Sequence, residues 1–233
     1  MGVNILDAIK ANVARIRDEI ARAAESSGRA AEEVTLVAVS KTVEPARIQA
    51  AFEAGIRHFG ENRVQEAQEK IPLIQGPVTW HMVGHLQRNK AGHAVELFDM
   101  IQSVDTKRLA ETISRRALQA GRRMDVLLEV NIGGEASKIG IPPEEIESFL
   151  EEIKDLPGIR VRGLMTIPPY DPDVEKVRPY FRRMHELFQR LKDKTSPSMD
   201  HLSMGMSNDF AVAIEEGATM VRVGTAIFGA RGQ

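Results

Sequence analysis

A lysine at the end of a buried apolar run is the first residue in this sequence that could do chemistry. Residues 34–39 are mostly apolar and β-branched, and Ser40 and Lys41 follow them, ahead of a segment that begins at Pro45. Such a run is typical of a strand in a parallel sheet, so Lys41 lies where a strand passes into a βα loop. A lysine amine there can form a Schiff base with a carbonyl compound. The alternative is an ordinary ion-paired or solvated lysine.

Glycine and hydroxyl residues cluster after the last two predicted strands. Ser203, Gly205 and Ser207 follow one of them, and Gly224 and Thr225 follow the other. Barrels hold phosphate groups at this position, because backbone N–H groups and the positive end of a helix dipole face the anion. We therefore expect a phosphate site, with ordinary turns and helix N-caps as the alternative. Beside a reactive lysine, such a site narrows the carbonyl compound to a sugar phosphate or pyridoxal phosphate.

An arginine is predicted to face the interior next to this phosphate site. Arg222 lies two residues before Gly224 and so shares its inward orientation along the strand. A buried arginine must be paired or bonded to a ligand, because an isolated buried charge is costly. Facing a pyridine nitrogen, it would keep that nitrogen unprotonated and make the cofactor a weak electron sink. The alternative is a structural salt bridge, for example with Glu129 or Asp105.

Three histidines raise the question of a metal site. His81 and His85 have an H-x-x-x-H spacing, and His93 follows. That spacing indicates a metal site only on a helix, and here it crosses a strand end and Gly84. We therefore expect no metal ion and assign His81 to the polar wall of the pocket. Lys138, on the loop after the fifth strand, opens on the same face and could approach a ligand.

The elements that must position these residues alternate strictly between strand and helix. Strict alternation requires a parallel sheet with right-handed crossovers. Eight units in this length favour a closed (β/α)8 TIM barrel over an open doubly wound sheet. No G-x-G-x-x-G follows the first strand, which also disfavours a dinucleotide-binding fold. The strands are predicted at 35–40, 57–60, 78–83, 100–104, 125–131, 160–166, 199–203 and 220–224.

A helix at 4–26 precedes the first strand and is additional to the barrel. Its isoleucines and valine recur at helical spacing, so one face is apolar and must cover another element. We expect the segment 1–28 to cover the barrel and the whole chain, 1–233, to form one domain. The remaining helices are predicted at 45–54, 63–70, 86–97, 106–120, 142–154, 173–192 and 208–216.

Composition excludes several classes of function. The chain has 233 residues, a formal net charge of −2 and no cysteine. Interspersed charges without a basic stripe argue against nucleic-acid binding, and the lack of cysteine excludes disulfides and thiolate metal sites. No apolar run approaches the roughly 20 residues of a membrane span, and no signal-peptide pattern opens the sequence. We expect a soluble cytoplasmic protein, a monomer or weak dimer, with neither membrane nor nucleic-acid partners.

Seven short sequence motifs, in the same order along the chain, make the sequence resemble the pyridoxal phosphate homeostasis proteins (the YggS/PROSC family). The resemblance covers essentially the whole chain, and seven motifs in the right order are a specific signal. The motifs are AVSKT at 38–42, FGEN at 59–62, WHMVGHLQRNK at 80–90, SKIG at 137–140, RGLM at 162–165, LSMGMS at 202–207 and VRVGTAIFG at 221–229.

The resemblance implies a barrel like the N-terminal domain of alanine racemases, with pyridoxal phosphate bound through a Schiff base to Lys41. It also implies that Asn62 lies near the ring and that Arg222 meets the pyridine nitrogen. Lys138 resembles the family's accessory lysine, implicated in cofactor exchange, and we add His81 to the cofactor-binding set as a wall residue. The phosphate would be surrounded by Ser203, Ser207, Gly224 and Thr225.

The sequence favours a cofactor carrier over an enzyme. Racemisation needs a second base on the opposite face of the substrate, which alanine racemases take from a C-terminal domain and a partner subunit. Only nine residues follow Gly224, so we expect that domain to be absent. Of the two tyrosines, Tyr170 is on an active-face loop, where a lid or wall role is expected, and Tyr180 is in the next helix.

We therefore expect a protein that stores, buffers and delivers pyridoxal phosphate to apo-enzymes through transient contacts, with no catalytic residue. The main alternative is a single-domain amino-acid racemase with weak activity. A Schiff-base aldolase and a pure interaction protein are the other possibilities. A lysine-bound chromophore would exclude the last of these, and exchange at the α-carbon of an amino acid would separate the racemase from the carrier.

Overall fold

Eight parallel strands close into a barrel in the computed structural model, which describes residues 5–135, 139–195 and 199–229. The last strand pairs with the first, with Thr35 opposite Met220 and Val37 opposite Arg222, so the sheet has no open edge. This closure confirms the predicted (β/α)8 TIM barrel and excludes the open sheet. The strands are β1 (Thr35–Val39), β2 (His58–Glu61), β3 (Thr79–Met82), β4 (Met100–Val104), β5 (Met124–Glu129), β6 (Ile159–Met165), β7 (His201–Ser203) and β8 (Met220–Val223).

Helices cover the outside of the barrel and begin where the local sequence permits. A proline occupies the first position of α2, where its missing N–H costs nothing, and the Thr106 side chain accepts a hydrogen bond from Leu109 N at the start of α5. The helices are α1 (Ile5–Ser26), α2 (Pro45–Glu53), α3 (Val64–Lys70), α4 (Ala91–Leu97), α5 (Lys107–Gln119), α6 (Ile146–Ile153), α7 (Arg178–Leu191), α8 (Phe210–Glu215) and α9 (Thr225–Phe228).

Several helix boundaries differ from the predicted ones. The helix predicted at 86–97 begins only at Ala91, after a 3-10 turn at Arg88–Lys90. The helix predicted at 142–154 begins at Ile146, after a turn in which Glu145 N donates to the Pro142 carbonyl at 2.9 Å. A short helix, α9, follows β8 directly and was not predicted. Four residues with no amphipathic period give no helical signal in the sequence.

The predicted N-terminal helix is present and packs on the barrel. Helix α1 contacts α2, α8 and α9. Its buried side chains recur every three or four residues, so one apolar stripe faces the barrel. The outer core lies between strands and helices, and a smaller cluster fills the barrel interior. That inner cluster consists of Val37, Met100, Leu127, Met165 and Met220.

Candidate functional site

A pocket of about 280 Å³ opens at the carboxyl ends of the strands, between the loops that follow β1, β2, β6, β7 and β8. Parallel strands end at one edge of the barrel, so residues distant in sequence meet there. The pocket brings together six of the residues singled out from the sequence. These are Lys41, Asn62, Ser207, Arg222, Gly224 and Thr225.

A hydroxyl group and two backbone N–H groups converge at one corner of the pocket. Ser207 Oγ accepts hydrogen bonds from Gly224 N and Ala226 N, both at 3.3 Å. The loop carrying Ser207 turns at Gly205, whose φ of +91° lies in the left-handed region that favours glycine. Because Ser207 Oγ accepts from both N–H groups, its own hydrogen is left to donate, which is the chemistry that an anion needs.

Arg222 supplies a buried positive charge at the floor of the pocket. Its side chain donates hydrogen bonds to Ser203 Oγ at 2.6 Å and to the Thr166 carbonyl at 2.8 Å. Burial lowers the pKa of Arg222 to about 10, against the opposing attraction of Glu129 and Asp209, so it remains a cation at neutral pH. The alternative of a salt bridge with Glu129 or Asp105 does not describe its contacts, because its hydrogen bonds go to a hydroxyl and a carbonyl.

Two predicted members of the site, His81 and Ser203, lie inside the barrel and are not among the residues that line the pocket. His81 is 1% exposed, and Ser203 is fully buried. Burial, with His58 and His201 nearby, lowers the pKa of His81 to about 3, so the ring is neutral. Both side chains lie within hydrogen-bonding distance of Gln102, and their assignment to the cofactor-binding set stays a prediction.

A chain of hydrogen bonds links these two residues through Gln102 on β4. Ser203 Oγ donates to Gln102 Oε1 at 2.7 Å, and Gln102 Nε2 lies 3.0 Å from His81 Nδ1. His81 Nε2 lies 3.0 Å from His58 Nδ1. Because the amide nitrogen must donate, His81 Nδ1 is the acceptor and its proton is on Nε2. All the hydrogen bonds of this series therefore donate in the same direction, from Arg222 through the barrel to His58.

Known proteins that are similar to this chain identify its family. Residues 5–232 match the family model of the alanine racemase N-terminal domain. A pyridoxal phosphate homeostasis protein of Aquifex aeolicus (strain VF5) is 44% identical over 220 residues, which is 94% of this chain and 96% of that protein. One of Escherichia coli (strain K12) is 43% identical over 226 residues, or 94% and 95%. The chain belongs to the pyridoxal phosphate homeostasis protein family.

A solved structure supports the same assignment. PipY of Synechococcus elongatus PCC7942, solved with PLP bound, has a TM-score of 0.80 and 39% sequence identity to this chain. The match covers 90% of this chain and all of PipY. Family members carry the name of a homeostasis protein and not of an enzyme, so the racemase alternative is not favoured.

The two tyrosines singled out from the sequence lie in different parts of the structure. Tyr170 lines the pocket and is 74% exposed, as expected for a lid or wall, whereas Tyr180 lies in α7 and packs against the outer core. Lys138 lies outside the described residues.

Within the described part of the chain, no group of three or more His, Asp or Glu side chains could hold a metal ion. No helix there is long and apolar enough to cross a membrane.

Sequence reasoning missed two polar residues of the pocket, Asn208 and Asp209. The Asp209 carboxylate accepts a hydrogen bond from Met206 N at 2.6 Å, and burial raises its pKa. Among the described lining residues it is the one acidic side chain. Its position just before α8 resembles an ordinary helix cap, so the sequence contained no signal of a binding role. Of the apolar lining, Phe228 was likewise not predicted.

Proposed function

We propose that this protein binds pyridoxal phosphate on Lys41, holds it reversibly and delivers it to apo-enzymes. The observation that carries the proposal is that an amine, a buried guanidinium and a convergent set of anion donors line a single pocket of about 280 Å³. The binding of PLP by PipY, whose structure is closely similar over its whole length, supports it.

The residues present fit the chemical groups of pyridoxal phosphate. The cofactor supplies an aldehyde that condenses reversibly with a lysine amine, with loss of water. Lys41 provides the amine, and Ser207, Gly224 and Thr225 would surround the phosphate. Asp209 opposes an anion, but its buried carboxylate has a raised pKa and already accepts the Met206 N–H.

Arg222 and Asn62 would contact the ring of the cofactor in the proposed site. The Arg222 guanidinium would face the ring nitrogen and disfavour protonation there, because a second cation beside a permanent one is unfavourable. A ring that stays neutral withdraws few electrons, so this residue limits reaction at the substrate carbon. Asn62 lines the same wall as Lys41 and would contact the ring. Both assignments favour holding the cofactor over turning over an amino acid.

The first test traps the bound cofactor on the protein. We expect borohydride reduction of the PLP-loaded protein, followed by peptide mass spectrometry, to label Lys41. Lys41→Ala should abolish the label, while Lys90→Ala, which removes a lysine from the neighbouring βα region, should leave it unchanged. Labelling that persists in Lys41→Ala, or is spread over surface lysines, would contradict the proposal.

The second test separates a carrier from an enzyme. Loaded protein mixed with an apo form of a pyridoxal phosphate enzyme should restore that enzyme's activity faster than Lys41→Ala protein does. In heavy water, alanine should gain no deuterium at its α-carbon during incubation with the loaded protein. Clear exchange or loss of chirality would favour the racemase instead.

Three further expectations stay predictions. Cell fractionation would check the cytoplasmic location. Size-exclusion chromatography would check the monomer or weak dimer, and limited proteolysis would check that the chain is one domain.

A further inference from the structure

The backbone on both sides of Lys41 is held by side chains from β2 and α3. Lys70 Nζ donates to the Ser40 carbonyl at 2.7 Å, on the residue just before the lysine. Glu66 accepts a hydrogen bond from the N–H of Thr42, on the residue just after it. The residues on either side of Lys41 are therefore held by side chains from other elements.

Thr42 has a strained backbone. Its φ of +60° is in the left-handed region, and no other non-glycine residue of the described chain has a positive φ. A β-branched residue avoids this region, and such strain persists only where surrounding contacts enforce it. The Glu66 carboxylate is the contact that holds the Thr42 N–H. The strain and its holding contact both lie next to Lys41.

The groups that hold this segment form a buried charged network. Lys70 Nζ lies 3.3 Å from Glu61 Oε1 and 2.5 Å from Glu66 Oε1. Glu61 is fully buried, and its Oε1 accepts a hydrogen bond from Ser40 Oγ at 2.7 Å. Its other oxygen is buried without a hydrogen-bond partner among the described residues. Burial raises the pKa of Glu61, which Ser40 and Lys70 oppose.

A network of this kind is a poor way to gain stability. Desolvating charges costs about as much as their attraction returns, so apolar side chains of similar size often stabilise a fold equally well or better. Here, however, the polar contacts end at Ser40 and Thr42, on either side of Lys41. Their placement favours a role in aiming that residue.

We propose that Lys70, Glu61 and Glu66 are positioning residues that fix the backbone of the 40–42 segment so that the Lys41 amine enters the pocket in one orientation. This inference rests on the proposed function, because it assumes that Lys41 receives the cofactor. The network never touches the ligand, so it should govern how quickly Lys41 condenses and leave the affinity for the rest of the cofactor unchanged.

The test compares two ligands on four proteins. Pyridoxal phosphate reports condensation, followed as the rate of borohydride-trappable label on Lys41. Pyridoxine 5′-phosphate has an alcohol in place of the aldehyde and reports binding without condensation. The proteins are the wild type, Glu66→Ala, Glu66→Gln and the control Glu69→Ala, which removes an exposed carboxylate from the same helix.

We expect Glu66→Ala to slow condensation by about tenfold to a hundredfold, because a misplacement of about 1 Å has effects of that size. Affinity for pyridoxine 5′-phosphate should not change. Glu66→Gln keeps an oxygen acceptor for the Thr42 N–H and should recover most of the rate. Glu69→Ala should behave as the wild type. Lys70 remains paired with Glu61 in every variant, so all four proteins should fold.

Three results would overturn this inference. A wild-type condensation rate in Glu66→Ala would show that the network does not aim Lys41. A parallel loss of pyridoxine 5′-phosphate affinity would show a general structural effect. Failure of the wild type to carry label on Lys41 would overturn the proposed function as well, whereas the first two results leave that function intact.

Discussion

Arg222 and Glu129 are buried beside the pocket, and their opposite charges attract each other. Glu129 is 8% exposed, and burial together with the nearby Asp105 raises its pKa to about 7, although Arg222 opposes the shift. A carboxyl group with this pKa is half ionised near neutral pH. The folded protein therefore holds a proton that the unfolded chain releases at lower pH.

The first prediction follows from that difference. Because the folded pKa is the higher one, the folded state binds more protons between about pH 4.5 and 7, and stability falls as the pH rises through this window. Glu129→Gln removes the loss, so its advantage over the wild type should grow from near zero at about pH 4 to at most about 3 kcal/mol at about pH 8. Urea denaturation across this range measures it.

The control for this prediction is Glu32→Gln, which changes an exposed carboxylate. Its stability difference from the wild type should stay small at every pH, as for most surface substitutions. A difference for Glu129→Gln that is the same at low and high pH would contradict the assigned titration.

At the scale of elements, helix α1 supports the short helix α9 that follows the pocket. Asn12 Nδ2 donates to the Ile227 carbonyl at 3.0 Å, and an arginine of the same helix reaches the Ala226 carbonyl at 3.3 Å. The N-terminus of α9 is at Thr225, a pocket residue. An element that precedes the barrel in sequence thus braces one wall of the site.

The apolar face of α1 gives the second prediction. Ile16 is fully buried, whereas Ile5, on the same helix, is 59% exposed. Ile16→Ala should lower the free energy of unfolding by about 2–5 kcal/mol, through lost burial and the cavity left behind. Ile5→Ala should change it by less than about 0.5 kcal/mol. Equal effects in thermal or urea unfolding would show that α1 does not pack as described.

The hydrogen-bond chain inside the barrel gives the third prediction. Gln102 serves both His81 and Ser203, and all three are buried. Gln102→Leu would leave His81 Nδ1 without a donor and the Ser203 hydroxyl without an acceptor, so the free energy of unfolding should fall by about 1–3 kcal/mol. Gln68→Leu, at an exposed glutamine, is the matched control. A neutral Gln102→Leu would indicate that water replaces the lost contacts.

These residues also show where sequence-based prediction of the site stops. Lys41, Ser207 and Gly224 follow strand ends, and the barrel brings all strand ends to one face, so their meeting could be predicted. His81 and Ser203 could not be excluded from the pocket by the same rule. Alternation gives the face of a strand on which a residue lies but not its height within the barrel. Tertiary packing decides that height, and here it buries both inside the barrel.

At the scale of the whole molecule, alternation and chain length predicted the closed barrel because few topologies accommodate eight such units. Helix boundaries were less predictable, since prolines and 3-10 turns shift the first residue of a helix. The buried network around Lys70 gave no signal either, because a lysine in a helix is usually solvated. Only the fold brings Lys70 to the backbone next to Lys41.

Because β8 pairs with β1, closure of the barrel brings the first and last loops to one pocket. The pocket joins the loops that follow β1, β2, β6, β7 and β8, so a bound cofactor would contact the ends of the closing strand pair and of their neighbours. A ligand that binds only the folded chain stabilises it by mass action, by about 2.7 kcal/mol at a hundred times its dissociation constant. For a chain of this size that corresponds to a rise of about 5–10 °C in Tm. Pyridoxal phosphate should therefore raise the Tm of the wild type by this amount.

Comparison with smaller ligands and one variant separates the contributions to that rise. Pyridoxal lacks the phosphate and should give a much smaller shift at the same concentration, because Ser207 and its neighbours would have no anion to hold. Lys41→Ala should lose the part of the shift that depends on the aldehyde and keep the part that depends on the phosphate. If pyridoxal and pyridoxal phosphate raise the Tm equally, the corner formed by Ser207, Gly224 and Ala226 does not bind the phosphate. The phosphate then makes no net contribution to binding.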